Sequence, residues 1–264
     1  MDQEVTKTFA MEIPDSFENR KGTCHFELKG EMFIIGGDDE NKRGNRQYKV
    51  QGNKLVQIAD TPFPFREGRC LNYDGEHVLL IAGWGNEKET RIFDGQDYTF
   101  IPTRTTYDHF AGGLAKYTYN GETSVVITAG EFEYYGTTEV YSPSKKEWTY
   151  KNLTEGHKWL YGFTMATFGN DVYAFGGKIY WQDFSPFVWK MNEKFGYDKI
   201  PEQMRSLERH DFSSFQQSNR IVHFGGWDTQ FAECWTLNPD GSWAIAESNE
   251  TWYNWTKYPM IFGI

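Results

Sequence analysis

A short apolar run that ends in a pair of very small residues recurs five times along the chain. It reads MFIIGG (32–37), VLLIAG (78–83), VVITAG (125–130), VYAFGG (172–177) and IVHFGG (221–226). The first small residues stand at 36, 82, 129, 176 and 225, so the steps are 46, 47, 47 and 49. Each run is too short for a helix and rich in β-branched and aromatic residues. None alternates with polar residues, so each reads as a strand buried on both faces, as when sheets stack face to face. A paired small residue fits crowding near the axis of a ring, where close approach and unusual φ are needed.

More of the unit repeats around that pair. An aromatic follows ten to thirteen residues later: Tyr48, Phe93, Tyr141, Trp189, Trp235. A second large apolar residue comes next: Leu55, Tyr98, Trp148, Tyr197, Trp243. Turn chemistry separates the two, as in SPSKKE and NPDGS. Before each run lies another strand (CHFEL, CLNY, GLAKYTY, FTMATF, DFSSF), joined to it by LKGE, YDGE, YNGE, FGND or QQSN. These joints carry hairpin signals. Each unit thus predicts four antiparallel strands, a to d, with b ending in the small pair. Four-stranded sheets at this period predict an all-β propeller built as a single domain over 1–264. Its repeats are expected at about 22–65, 66–105, 106–158, 159–206 and 207–254, with terminal strands at 6–13 and 255–264.

The apolar run, double Gly, Tyr and Trp order resembles the kelch repeat, as in the central domain of galactose oxidase. The units at 125–148 (VVITAG…EVYSPSKKEW) and 172–197 match it best, while Ala82 and Ala129 replace the first Gly in two repeats. The resemblance spans about residues 22 to 254. It implies a kelch-type propeller, commonly a protein-interaction module; actin or a recruited substrate are the partners such proteins serve. Copper oxidases share the repeat, but their Tyr/His copper set and cysteine–tyrosine cross-link do not map onto this chain. The ends leave two closures open. TKTFAMEI (6–13) resembles strand d and YNWTKYPMIF (253–262) resembles strand a. Six blades, the last incomplete and built from both termini, is the preferred expectation; five blades with extra end strands is the alternative.

Antiparallel geometry sends the a–b and c–d turns to one face and the b–c and d–a loops to the other. The first set is short and polar. The second is long and rich in aromatics and charge, as in GKIYWQDFSPF and TPFPFREGR. Function concentrates on long loops carried by a rigid scaffold, and exposed aromatics and Arg are enriched in hot spots. The candidate partner-binding residues are therefore Trp84, Tyr134, Tyr135, Tyr180, Trp181 and Trp227 from b–c loops, with Arg66, Arg69, Arg104, His109, His157, Arg205 and Arg209 from d–a loops. Packing between blades competes with display for each, most of all for Trp84 and Trp227, which directly follow a small pair.

The net charge of −10 and pI near 5.1 argue against nucleic acid and anionic membranes as partners. No catalytic or phosphate-binding motif occurs, and no two of the six histidines stand at ligand spacing. The chain is accordingly expected to be no enzyme and to need no cofactor or metal, an axial pocket for a small ligand or an enzyme site being the competing class. Cys24, Cys70 and Cys234 are expected as reduced, mostly buried thiols. Cys24 and Cys70 each precede a small pair by 12 residues, on neighbouring a strands, so a disulfide or channel metal is the alternative there. The N-terminal MDQEVTKTFA has no signal-peptide pattern, which predicts a cytoplasmic protein. Sequons at Asn152, Asn249 and Asn254 point to the alternative, a secreted structural or matrix protein.

Overall fold

A computed structural model describes residues 14, 21–38, 44–52, 54–66, 68–81, 83, 88–106, 109, 112–119, 121–128, 137–151, 160–179, 185, 187–203, 213–217, 219–224 and 232–249. They form a β-propeller of five four-stranded antiparallel blades. Blade 1 holds β1 (Lys21–Leu28), β2 (Glu31–Asp38), β3 (Gln47–Gln51) and β4 (Lys54–Gln57). Blade 2 holds β5 (Arg69–Asn72), β6 (Val78–Ile81), β7 (Thr90–Phe93) and β8 (Tyr98–Ile101). Blade 3 holds β9 (Gly113–Tyr119), β10 (Glu122–Thr128), β11 (Thr138–Ser142) and β12 (Glu147–Lys151). A two-residue strand β13 (Leu160–Tyr161) precedes blade 4, which holds β14 (Thr164–Phe168), β15 (Asp171–Phe175), β17 (Phe187–Met191) and β18 (Tyr197–Gln203). β13 pairs with β16 (Lys178–Ile179), so the GKIYW loop begins as a continuation of the a–b hairpin beyond Gly162 and Gly176–Gly177. Blade 5 holds β19 (Ser213–Gln217), β20 (Arg220–Phe224), β21 (Ala232–Leu237) and β22 (Trp243–Asn249).

Five blades replace the six expected. Every b–c pair already has its own a and d strand within its repeat, from β1 to β22. No described blade is left waiting for a terminal strand. Segments 6–13 and 255–264 lie outside the described residues.

The strands arise where the sequence demands them. Val78, Leu79, Leu80 and Ile81 of β6 are all essentially inaccessible, as a doubly covered strand requires. Their side chains alternate between the two neighbouring blades. Val78 and Leu80 join Phe26, Phe33 and Phe93 between blades 1 and 2, while Leu79 and Ile81 join Leu114 and Val125 between blades 2 and 3. Equivalent layers lie between blades 3 and 4, around Val126 and Met165, and between blades 4 and 5, around Phe175 and Trp243. On the remaining face of blade 1, Ile34, Tyr48 and Leu55 are buried as well and form a small cluster of their own.

The strand-d aromatics add polar latches to these layers. The Tyr98 hydroxyl donates to Gln47 Oε1 at 2.9 Å, and Trp148 Nε1 donates to Thr90 Oγ1 at 2.9 Å. The Tyr197 hydroxyl lies 2.9 Å from Thr128 Oγ1, which lies 2.9 Å from Thr138 Oγ1. Gln47, Thr90 and Thr138 occupy one position of the repeat, each opposite the residue just before the small pair. In blade 4 that position is Val188, opposite Phe175. Trp243 packs against Phe175, and its buried Nε1 finds no hydrogen-bond partner among the described residues.

Cys24 and Cys70 are joined in a disulfide, which corrects the expectation of reduced thiols. Equivalent positions on adjacent inner strands bring their Cα atoms to 5.9 Å, within the usual span of such a bond. The bond links β1 to β5, and hence blade 1 to blade 2. Cys234 lies in β21.

Candidate functional site

The two ends of the propeller differ in how their connections are built. On one face the a–b and c–d turns are two to five residues long, as in Leu28 to Glu31 and Met191 to Tyr197. Lys29 and Gly30 both take positive φ, 54° and 75°, the geometry of a tight primed hairpin turn. Three carboxylates here are bound within their own blades. Asp94 accepts the amides of Gln96 and Asp97 at 2.9 and 2.8 Å, and Asp240 accepts the hydroxyl and amide of Ser242. Glu122 accepts the Ser144 amide and the Ser142 hydroxyl. These hydrogen bonds hold all three carboxyls below their usual range.

On the opposite face the b–c and d–a connections run seven to twelve residues between the blade strands. The d–a loop after blade 1 is fixed by the small pairs. The Gly37 amide donates to Phe65 O at 2.9 Å, the Phe65 amide to Gly44 O at 2.7 Å, and the Thr61 amide to Asn45 O at 2.6 Å. Gly36 has φ 71°, and a Cβ there would collide with the Phe65 carbonyl. Gly83 likewise leaves room for the backbone of Arg66. Gly36, Gly37 and Gly83 therefore seat the d–a loop of blade 1.

The candidate residues that the structure describes occupy four different settings. Arg104 is the most exposed: its side chain is 58% accessible, with Nη2 3.4 Å from Glu89 Oε1. The other oxygen of Glu89 binds Arg91 at 2.6 Å, and the Arg91 guanidinium stacks 4.0 Å above the Phe63 ring. Glu89 thus ties the b–c loop of blade 2 to its d–a loop. Arg66 is half-buried, its stem packed where a Cβ on Gly44 would fall. Arg69 begins β5 near the axis, and its Nε donates to Gly112 O at 2.7 Å, bridging blades 2 and 3.

His109 is fully buried. Its Nε2 lies 3.0 Å from Glu139 Oε1, both side chains have no exposure, and Glu139 Oε2 accepts the Thr106 amide at 2.9 Å. His109 therefore holds the d–a loop of blade 2 against β11 from behind the face. Trp84, Tyr134, Tyr135, His157, Tyr180, Trp181, Arg205, Arg209 and Trp227 lie outside the described residues.

Sequence reasoning passed over Glu89 and Glu139. Glu139 left a signal: it is the only charged residue in the buried strand TEVYS, and an acid there needs a partner from a neighbouring loop. Glu89 left none, because a Glu in GNEKET reads as ordinary loop charge. Among the described residues, no group of three or more His, Cys, Asp or Glu side chains is placed to hold a metal ion. No protein-family model and no curated protein matches the chain.

Proposed function

We propose that this chain is a kelch-like, non-catalytic interaction module that holds a protein partner on the face formed by its b–c and d–a loops. One observation carries the reading: the asymmetry of the two ends. One end has short turns in which Asp94, Glu122 and Asp240 are bound within their own blades. The other has long loops, one of them seated on Gly36, Gly37 and Gly83, and another presenting Arg104 beside Glu89. A loop fixed before binding loses less entropy on contact, which favours affinity. Arg104 is the cationic anchor of this reading. Arg66 and Arg69 supply positive charge nearer the axis. Trp84, Tyr134, Tyr135, Tyr180, Trp181 and Trp227 are the aromatic candidates that the sequence assigns to the same set of loops. A partner offering acidic and apolar groups fits that composition.

The Cys24–Cys70 bond favours a site of action in an oxidising compartment, so the partner is sought among proteins encountered there.

The test is affinity capture with the intact protein, an Arg104→Glu/Trp181→Ala variant and a Lys145→Glu control on the opposite face. Arg66 is left alone, because its packed stem would confound binding with folding. With all three proteins melting alike, a partner retained by the parent and the control but lost from the double variant supports the reading. Loss on the control with retention by the double variant overturns it.

A further inference from the structure

A cavity of about 490 Å³ lies between the inner strands of blades 2, 3 and 4, with Ile221 of blade 5 also on its wall. It sits toward the a–b turn end, where Lys116 and Thr118 of β9 meet Gly169 after β14 and Thr123 of β10. It is therefore remote from the loop face proposed above. Its volume is within the range of small-molecule sites. Leu71, Leu114 and Met165 contribute apolar wall, and Thr118 and Thr123 contribute hydroxyls.

Lys116 is the only charged residue among the described lining residues. Its strand is fixed locally, because the Thr167 hydroxyl donates to the Lys116 carbonyl across the blade 3–4 boundary. Its ammonium makes no ion pair among the described residues. Desolvation holds its pKa below the usual lysine value, partly offset by the charge of Asp74. Asp74 is committed elsewhere: it accepts the Glu76 and His77 amides and lies 2.8 Å from His77 Nδ1. The side chain still reaches solvent through the opening, so a ligand has a path to it.

We propose that this axial cavity is a binding site for a small organic monocarboxylate, whose carboxylate pairs with Lys116 and whose apolar body lies along Leu71, Leu114 and Met165. A single ammonium matches a single negative charge; a dianion would bring a second charge with no described cation to meet it. The described lining also has no guanidinium fork, the group suited to bidentate phosphate recognition. The site is independent of the loop face, so each can fail without the other.

The probes are 2-naphthoate and its neutral isostere 2-naphthamide, titrated into the intact protein by calorimetry or saturation-transfer NMR. The expected result is a preference for the acid of at least about tenfold, the size of one charge-assisted hydrogen bond. Lys116→Met should remove that preference while leaving amide binding in place. If Lys116→Met fails to fold, Lys116→Gln serves the same comparison. Arg104→Glu should leave both affinities unchanged. Equal binding of acid and amide, binding of neither, or a preference that survives loss of the lysine overturns the proposal.

Discussion

His109 and Glu139 show how one buried pair decides the shape of a loop. Removing the carboxylate strands two groups at once, the imidazole Nε2 and the Thr106 amide. Glu139→Ala should therefore cost about 3–5 kcal/mol in urea unfolding, whereas Glu139→Gln, which keeps an acceptor and a donor, should cost nearer about 1 kcal/mol. Equal losses would mean that the polar contacts contribute nothing beyond volume. His25, on β1, makes a pH prediction. Desolvation holds its imidazole below the usual 6.5. A lowered folded pKa means that the unfolded chain binds the proton more readily. The stability contribution is present above pH 6.5 and is lost as pH falls through that value toward the folded pKa. His25→Gln should flatten the dependence of stability on pH just below 6.5; an unchanged slope would assign it to other groups. Residue roles were only partly legible in the sequence. Arg104 reads as a loop cation and is displayed as one, whereas His109 reads the same way and is buried. Two neighbours in one loop cannot be told apart without knowing that Glu139 waits beneath the second.

At the scale of elements, the repeat announces the strands because its chemistry is local. A small pair, an apolar run and a hairpin turn each specify backbone geometry within a few residues. Two glycines with similar φ separate the reasons for using one. Gly30 faces open space, so Gly30→Ala should cost only the strain of positive φ, about 1 kcal/mol. Gly36→Ala adds a collision with the Phe65 carbonyl and should lower stability by about 3 kcal/mol or more while loosening the blade 1 d–a loop. Similar costs would remove the close approach as an explanation. The strand-d aromatics were legible as core residues, but their latches were not. The pairing of Trp148 with Thr90 links residues 58 apart in sequence and depends on blade stacking. A Thr90→Val/Trp148→Phe double-mutant cycle should give a coupling of about 1 kcal/mol. Additivity would show that the hydrogen bond is energetically silent.

For the whole molecule, blade number was the least legible feature. Segments resembling strands a and d remain at both ends, and sequence similarity alone does not say whether a ring needs them. Each of the five described sheets is complete within its own repeat, so the described residues make five blades. The latches also make the ring uneven. Blades 1 to 4 are joined in order by hydrogen bonds from strand-d aromatics, but Trp243 packs on Phe175 and has no such bond among the described residues, and blade 1 carries Leu55 at the corresponding place. The disulfide reinforces the end of the series opposite to blade 5. Closing a loop of 46 residues restricts the unfolded chain, a contribution of about 4 kcal/mol on the chain-entropy argument. Reduction should lower the urea midpoint accordingly, and the mass of the native protein should rise by about two hydrogens on reduction, one per sulfur. Finding three free thiols in the denatured, unreduced protein would remove the bond.

The same bond changes what a protease can do to blade 1. Strands β2, β3 and β4 all lie between Cys24 and Cys70. A single cut in any connection between them leaves both pieces tethered at the inner wall of the propeller. Nicked protein would migrate as one band on a denaturing gel until a reductant is added, and would refold as a two-piece molecule with its pieces already in register.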